Sequence, residues 1–181
     1  MPLARPALSL ALSSLALLGG CTTMGSPADA SAPGARTALY SPTGIAMGTA
    51  TIEQVSGGLK LTVNGLALPP GQHGAHIHTT GKCDAPDFAS AGGHWNPTAM
   101  KHGSMNPMGP HEGDLPNLVI GADGTGSITI TIPGAMLTGG TNPLLDADGA
   151  ALVIHAAADD LKTDPSGNSG GRIACGVLQA G

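Results

Sequence analysis

The chain has 181 residues, a formal net charge of −5 and only three aromatic side chains, Tyr40, Phe88 and Trp95. It has no basic patch, which excludes nucleic acid as a partner, and its core must be built from Val, Ile, Leu, Met and Ala. Glycine and proline contribute 29 and 15 residues, near the level typical of disorder, but the strand-like segments between them argue for a folded domain.

Met1 to Gly20 carries one charged side chain, Arg5, and an apolar run through Leu8, Leu10, Leu12, Leu15, Leu17 and Leu18. The run is too short to span a membrane and has the form of a secretory signal. Leu18-Gly19-Gly20-Cys21 resembles the bacterial lipoprotein processing box, in which the cysteine becomes the acylated first residue. Residues 1–20 therefore read as a signal peptide and Cys21 as a lipid site, with secretion without a lipid as the alternative. Several acyl chains on one cysteine would meet the two-signal requirement for stable anchoring. Residues 22–36 are small, polar and punctuated by Pro and Gly, which predicts a flexible tether with a reach of about 20 Å. The expectation is an exported, periplasmic domain over residues 37–181, held to the cell envelope by lipid. Without Arg5 the formal charge is −6, from six basic and twelve acidic residues.

Leu59, Leu61 and Val63 alternate with Lys60, Thr62 and Asn64, and Ile128, Ile130 and Ile132 alternate with Ser127, Thr129 and Thr131. A period of two with polar partners predicts half-buried strands. Residues 45–55 and 152–155 are further strand candidates, and Gly57-Gly58 and Asp123-Gly124 sit where hairpin turns belong. No stretch after the leader has a long helical period. Short strands with long Gly/Pro-rich excursions predict an all-β fold, an antiparallel sandwich or barrel with two long functional loops.

Six of the seven histidines lie between His73 and His111, and the last is His155 in a strand-like run. His76 and His78 are two apart, so an extended strand would point both imidazoles to one face. His94, His102, His111 and Asp114 are separated by Gly, Pro, Asn and Ser, which makes that segment a loop. Imidazoles with a carboxylate suit zinc, and an all-imidazole set suits copper or zinc.

Gly74-Ala75-His76-Ile77-His78, Gly92-Gly93-His94-Trp95-Asn96-Pro97, His102-Gly103, residues 111–117 and residues 167–177 resemble the copper/zinc superoxide dismutase family, and the likeness extends over residues 37–179. The family is known as a β-sandwich, here implying a Greek-key arrangement. The resemblance implies copper held by His76, His78, His94 and His155, and zinc held by His94, His102, His111 and Asp114. His94 would then bridge the two metals and exchange a proton with product. Asp159 would join a copper ligand to a zinc ligand, Arg172 would hold the anionic substrate, and superoxide would be converted to dioxygen and hydrogen peroxide. Lys162 is a further candidate for drawing the anion in. A domain of this kind that stores or delivers copper or zinc is the alternative function, and the sequence leaves a homodimer open.

With Cys21 taken as the lipid site, Cys83 and Cys175 remain, and an exported compartment would allow them to pair; two buried free thiols are the alternative. His73 has no ligand position left and reads as structural, bonding backbone near the strand start. Ala75 and Trp95 depart from the family's usual residues in packing positions. Met100, Met105 and Met108, in the presumed zinc loop, read as packing residues, with extra soft ligands for monovalent copper or interface residues as the alternatives.

Overall fold

The computed structural model of the protein describes residues 1–2, 33–141 and 143–181. The predicted signal peptide, Cys21 and most of the predicted tether lie outside the described residues. Ten strands follow in order: β1 (Gly34–Tyr40), β2 (Ala46–Val55), β3 (Gly58–Gly65), β4 (Gly71–His73), β5 (Ala75–His78), β6 (Leu118–Ile120), β7 (Gly126–Pro133), β8 (Ala151–His155), β9 (Arg172–Val177) and β10 (Gln179–Ala180). A single 3-10 turn, Ala89–Ala91, is the only helical element among the described residues. β1 begins at Gly34, so the last residues of the predicted tether are strand, paired from Gly34↔Glu53 onward.

The main sheet is antiparallel and runs β5-β8-β9-β1-β2-β3-β7, with β10 beside β1 and a small β4-β6 pair apart from it. β1, β2 and β3 form a meander, β7 returns beside β3, and β8 returns beside β5, the Greek-key pattern that the family resemblance implies. Leu59, Leu61 and Val63 are fully buried, whereas Lys60 and Asn64 are exposed, as period two requires. On the edge strand β7, Ile132 is buried but Ile128 and Ile130 only half so. The β2–β3 turn falls on Ser56-Gly57, one residue earlier than expected, because Gly58 already pairs with Val55. Asp123-Gly124 does turn the chain between β6 and β7, where Gly121 N–H donates to Thr125 O at 2.8 Å.

β8 is buried along its whole length, so it shows no polar alternation. Leu152 and Ile154 enter the main core, whose aliphatic packing includes Ile52, Leu61, Ile77 and Leu118, while Ala151 and Val153 face a second, smaller core with Phe88, Ala91 and Cys175. The loop after β5 covers that second core. Cys83 and Cys175 form a disulfide, with Cα atoms 5.8 Å apart, that clips this loop to β9 across a sequence separation of 92. Closing a loop of that size constrains the unfolded chain by about 4–5 kcal/mol in the chain-entropy picture.

Candidate metal centre

β5 sends Ala75 and Ile77 into the main core, so strand alternation leaves His76 and His78 on the opposite, outer face. β8 does the same with Leu152 and Ile154, which leaves His155 on the outer face. The register Ala75↔Ile154 and His76↔Val153 brings the three histidines together.

A loop delivers the next imidazole. Thr79 N–H donates to Gly93 O at 3.0 Å and Trp95 N–H to Ile77 O at 2.8 Å, laying the 93–95 segment along the free edge of β5. Trp95 enters the main core, so its neighbour His94 faces the other way. A second loop segment joins them, with Ile77 N–H donating to Gly113 O and Gly113 N–H to Trp95 O, at 2.9 and 2.8 Å. A side chain at position 113 would strike the Ile77 carbonyl, and glycine alone permits this approach. Asp114 follows directly.

Two clusters result, and they share His94. In the first, His76 Nδ1, His78 Nε2, His94 Nε2 and His155 Nε2 are buried with no hydrogen-bond partner. Ligand atoms of these four residues lie within 4.8 Å of one another. Four unpaired buried nitrogens would cost about 1–3 kcal/mol each, a penalty that one soft or borderline cation among them removes. Their other nitrogens fix the tautomers. His76 Nε2 donates to Asp159 Oδ2 at 2.7 Å, His78 Nδ1 to Gly92 O at 2.9 Å, and His155 Nδ1 to Gly170 O at 3.0 Å.

In the second cluster, Nδ1 of His94, His102 and His111 all face Asp114 Oδ1, at 2.8, 3.1 and 3.1 Å. The carboxylate is aimed by Gly103 N–H and His111 N–H, which donate to Oδ2 at 2.8 and 3.0 Å. Three imidazole nitrogens crowded on one oxygen have the donor set and closeness of a tetrahedral zinc site. His76 also lies within 4.8 Å of part of this set. Its Nε2, however, is spent on Asp159, whereas His111 Nδ1 is 3.4 Å from His94 Nδ1 and belongs to the set directly.

The sequence pattern of the family described as copper/zinc superoxide dismutase (SODC) matches residues 46–178. The chain belongs to the copper/zinc superoxide dismutase family. It is 46% identical over 137 residues to "Superoxide dismutase [Cu-Zn] 1" of Aquifex aeolicus, covering 74% of this chain and 80% of that one. It is 50% identical over 123 residues to "Superoxide dismutase-like protein YojM" of Bacillus subtilis, covering 67% and 63%. The solved structure of the Cu/Zn superoxide dismutase of Brucella abortus superposes with a TM-score of 0.63 at 33% identity, covering 81% and 99%. Both clusters fit the metals for which the family is named.

Asp159 is buried and ties the clusters together, since its Oδ1 accepts from His102 Nε2 at 3.0 Å while Oδ2 accepts from His76. These bonds hold its pKa below the usual carboxylate range despite burial. Asn117 in turn clamps Asp159, accepting its N–H at 2.8 Å and donating Nδ2 to its carbonyl at 2.9 Å. The sequence reading assigned Asn117 no role. Its partner is backbone 42 residues away, for which side-chain patterns carry no signal. Any side chain at Gly167, which has φ +62, would collide with the Asp159 carboxylate, so the chain keeps glycine there as well.

A cavity of about 400 Å³ opens over the first cluster, lined by His78, His94, His155, Asn96, Ser166 and Arg172. Arg172 Nη1 and Nη2 donate to Phe88 O and Gly92 O, both at 2.7 Å. Gly92 O thus orients both His78 and the guanidinium. Lys162 is exposed on the adjoining loop and is not part of this wall. The ring nitrogens of His73 face His155 O and Pro69 O at 2.7 and 2.8 Å, a structural role beside the strand start. The methionines depart from expectation: Met100, Met105 and Met108 are 39, 66 and 58% exposed and do not pack the loop.

Burial lowers the pKa of His76 and His155 to about 4 and of His78 to about 2. In the unfolded chain each would take up a proton near pH 6.5. Between these values the unfolded state binds more protons, so stability is full above about pH 6.5 and is lost as pH falls toward 4. Metal-free protein should therefore lose on the order of 3 kcal/mol for each of His76 and His155 over that window. Thermal melts from pH 7.5 to 4 test this, and a flat profile would contradict the burial.

Proposed function

We propose that the protein is an exported superoxide dismutase, with copper held by His76, His78, His94 and His155 and zinc by His94, His102, His111 and Asp114. The observation that carries this reading is His94, whose Nε2 belongs to one cluster and whose Nδ1 faces the carboxylate of the other. When bound, copper would supply the one-electron couple that takes superoxide to dioxygen and to hydrogen peroxide, and zinc would supply fixed positive charge.

The chain's own residues do the rest. Arg172, fixed by two carbonyls at the cavity wall, offers its remaining N–H groups to a small anion beside the imidazoles. His94 reaches the cavity and can hold a proton at Nε2 for delivery to reduced substrate, while Asp114 keeps its Nδ1 side oriented. Asp159, clamped by Asn117, holds His76 and His102 in fixed tautomers. Metal analysis of purified protein together with superoxide decay tests the reading. One copper and one zinc per chain with dismutation are expected, and zinc alone without dismutation refutes it.

A second reading is a dismutase-like module that stores or delivers copper or zinc; the Bacillus subtilis relative, named only as superoxide dismutase-like, points to variants within the family. Weighing against it is Arg172, a cation in the cavity wall that is not among the metal-ligating groups and suits an anionic substrate. The leader motif supports a lipid anchor at Cys21 that would hold the domain to the cell envelope. Cys21→Ser protein should fail to incorporate labelled fatty acid. Unlipidated wild-type protein would remove the anchor and leave the enzyme reading intact.

A further inference from the structure

The loop that carries His102 also exposes three thioethers within nine residues, Met100, Met105 and Met108. They do not hold the loop together, because polar bonds already do. Lys101 N–H donates to Met108 O at 2.8 Å, and Asn106 N–H to Gly103 O at 3.1 Å. Asn96 accepts Met100 N–H and donates to Met100 O, both at 2.9 Å. Met105 N–H donates to Leu161 O at 2.8 Å, and Asn106 Nδ2 to Lys162 O at 3.2 Å. The one lysine on the loop, Lys101, is paired with Asp164 at 2.9 Å, so its charge is offset.

The backbone therefore presents three soft sulfur donors on a short, pinned loop. The Lys101–Met108 bond draws the two ends together, with Met105 in the turn between them. Thioethers are poor ligands for the hard and borderline ions that oxygen and imidazole hold, and good ones for monovalent copper. The loop also borders the cavity, since Asn96, which clamps Met100, lines its wall.

We propose that Met100, Met105 and Met108 form a binding site for a cuprous ion, outside both histidine clusters, from which the ion passes into the cavity. Passage involves no change of oxidation state: thioether ligands are exchanged for imidazoles. The transfer rests on the copper reading of the four-imidazole cluster, and the binding does not.

The test uses the full-length, metal-loaded protein, reduced and kept anaerobic, with its methionine methyl groups labelled with ¹³C. Cuprous ion is added against a chromophoric chelator. Expected are one cuprous equivalent beyond the histidine site and joint shifts of the three methyl signals. The Met100→Leu, Met105→Leu, Met108→Leu triple variant keeps the apolar volume and should lose that equivalent. No further equivalent in the wild type, retention in the triple variant, or a shift of one methyl alone would overturn the site. Transfer is read separately, as the rate at which zinc-loaded, copper-free protein acquires copper from Cu(I). The triple variant should fill more slowly to the same final content, and an equal rate would overturn the passage. Failure of the four-imidazole cluster to take copper would leave the methyl shifts in place, so the two readings fail separately.

Discussion

His94→Ala protein is expected to lose dismutase activity by about 10²- to 10⁴-fold, the range for removing a positioned proton donor, while each metal cluster keeps partial occupancy. The substitution removes Nε2 from the first cluster and Nδ1 from the second, leaving three donors in each. It also removes the one side chain common to both, so copper and zinc affinities should become independent. Backbone position should survive, because Trp95 N–H and Thr79 N–H hold the segment to β5 without help from the imidazole. Metal titration with spectroscopy of the copper site checks this. Retained activity with a single metal bound would show that the shared imidazole is not central to catalysis.

Arg172→Ile should lower the second-order rate by about 10- to 100-fold with copper content unchanged, the cost of losing hydrogen bonds to a charged partner. The overall charge of the chain is negative and repels an anion, but the guanidinium lies in the cavity wall beside His78, His94 and His155. A cleft concentrates local potential, so attraction there should exceed repulsion at long range. The rate should accordingly fall as salt rises, since screening confines these charges to about 10 Å at 0.1 M. Arg172→Lys keeps the charge but cannot span Phe88 O and Gly92 O as the fork does, and should lie between wild type and Ile. Lys162→Ala should act weakly, because Lys162 stands outside the wall. A wild-type rate that rises with salt would contradict local attraction.

The readable parts of the fold were those in which one face is wet. Leu59, Leu61 and Val63 announce themselves because Lys60 and Asn64 remain exposed between them. β8 has both faces covered, by the main core and by the disulfide loop, so Leu152, Val153 and Ile154 give an unbroken apolar run that states strand length and nothing about orientation. Met100, Met105 and Met108 misled because apolar composition alone does not distinguish a core residue from an exposed one. Asn117 went unassigned because its partner is the Asp159 backbone.

The sequence by itself determined the donor chemistry and its local geometry: two imidazoles two apart on a strand, a carboxylate three residues after His111, and one leftover histidine in an apolar run. These are properties of near neighbours, set by a repeat of two and by side-chain type. Tertiary structure alone decided which donors meet. Pairing of β5 with β8 sets His155 near His76 and His78, and the free edge of β5 then captures the segments at Trp95 and Gly113, which aims His94 and Asp114 at one another. Backbone hydrogen bonds hold that pairing but do not select it, because every residue offers nearly the same backbone donors and acceptors. Partner selection across tens of residues is therefore settled by packing of Ala75, Ile77, Trp95 and Ile154 in one shared core, a balance no local pattern records.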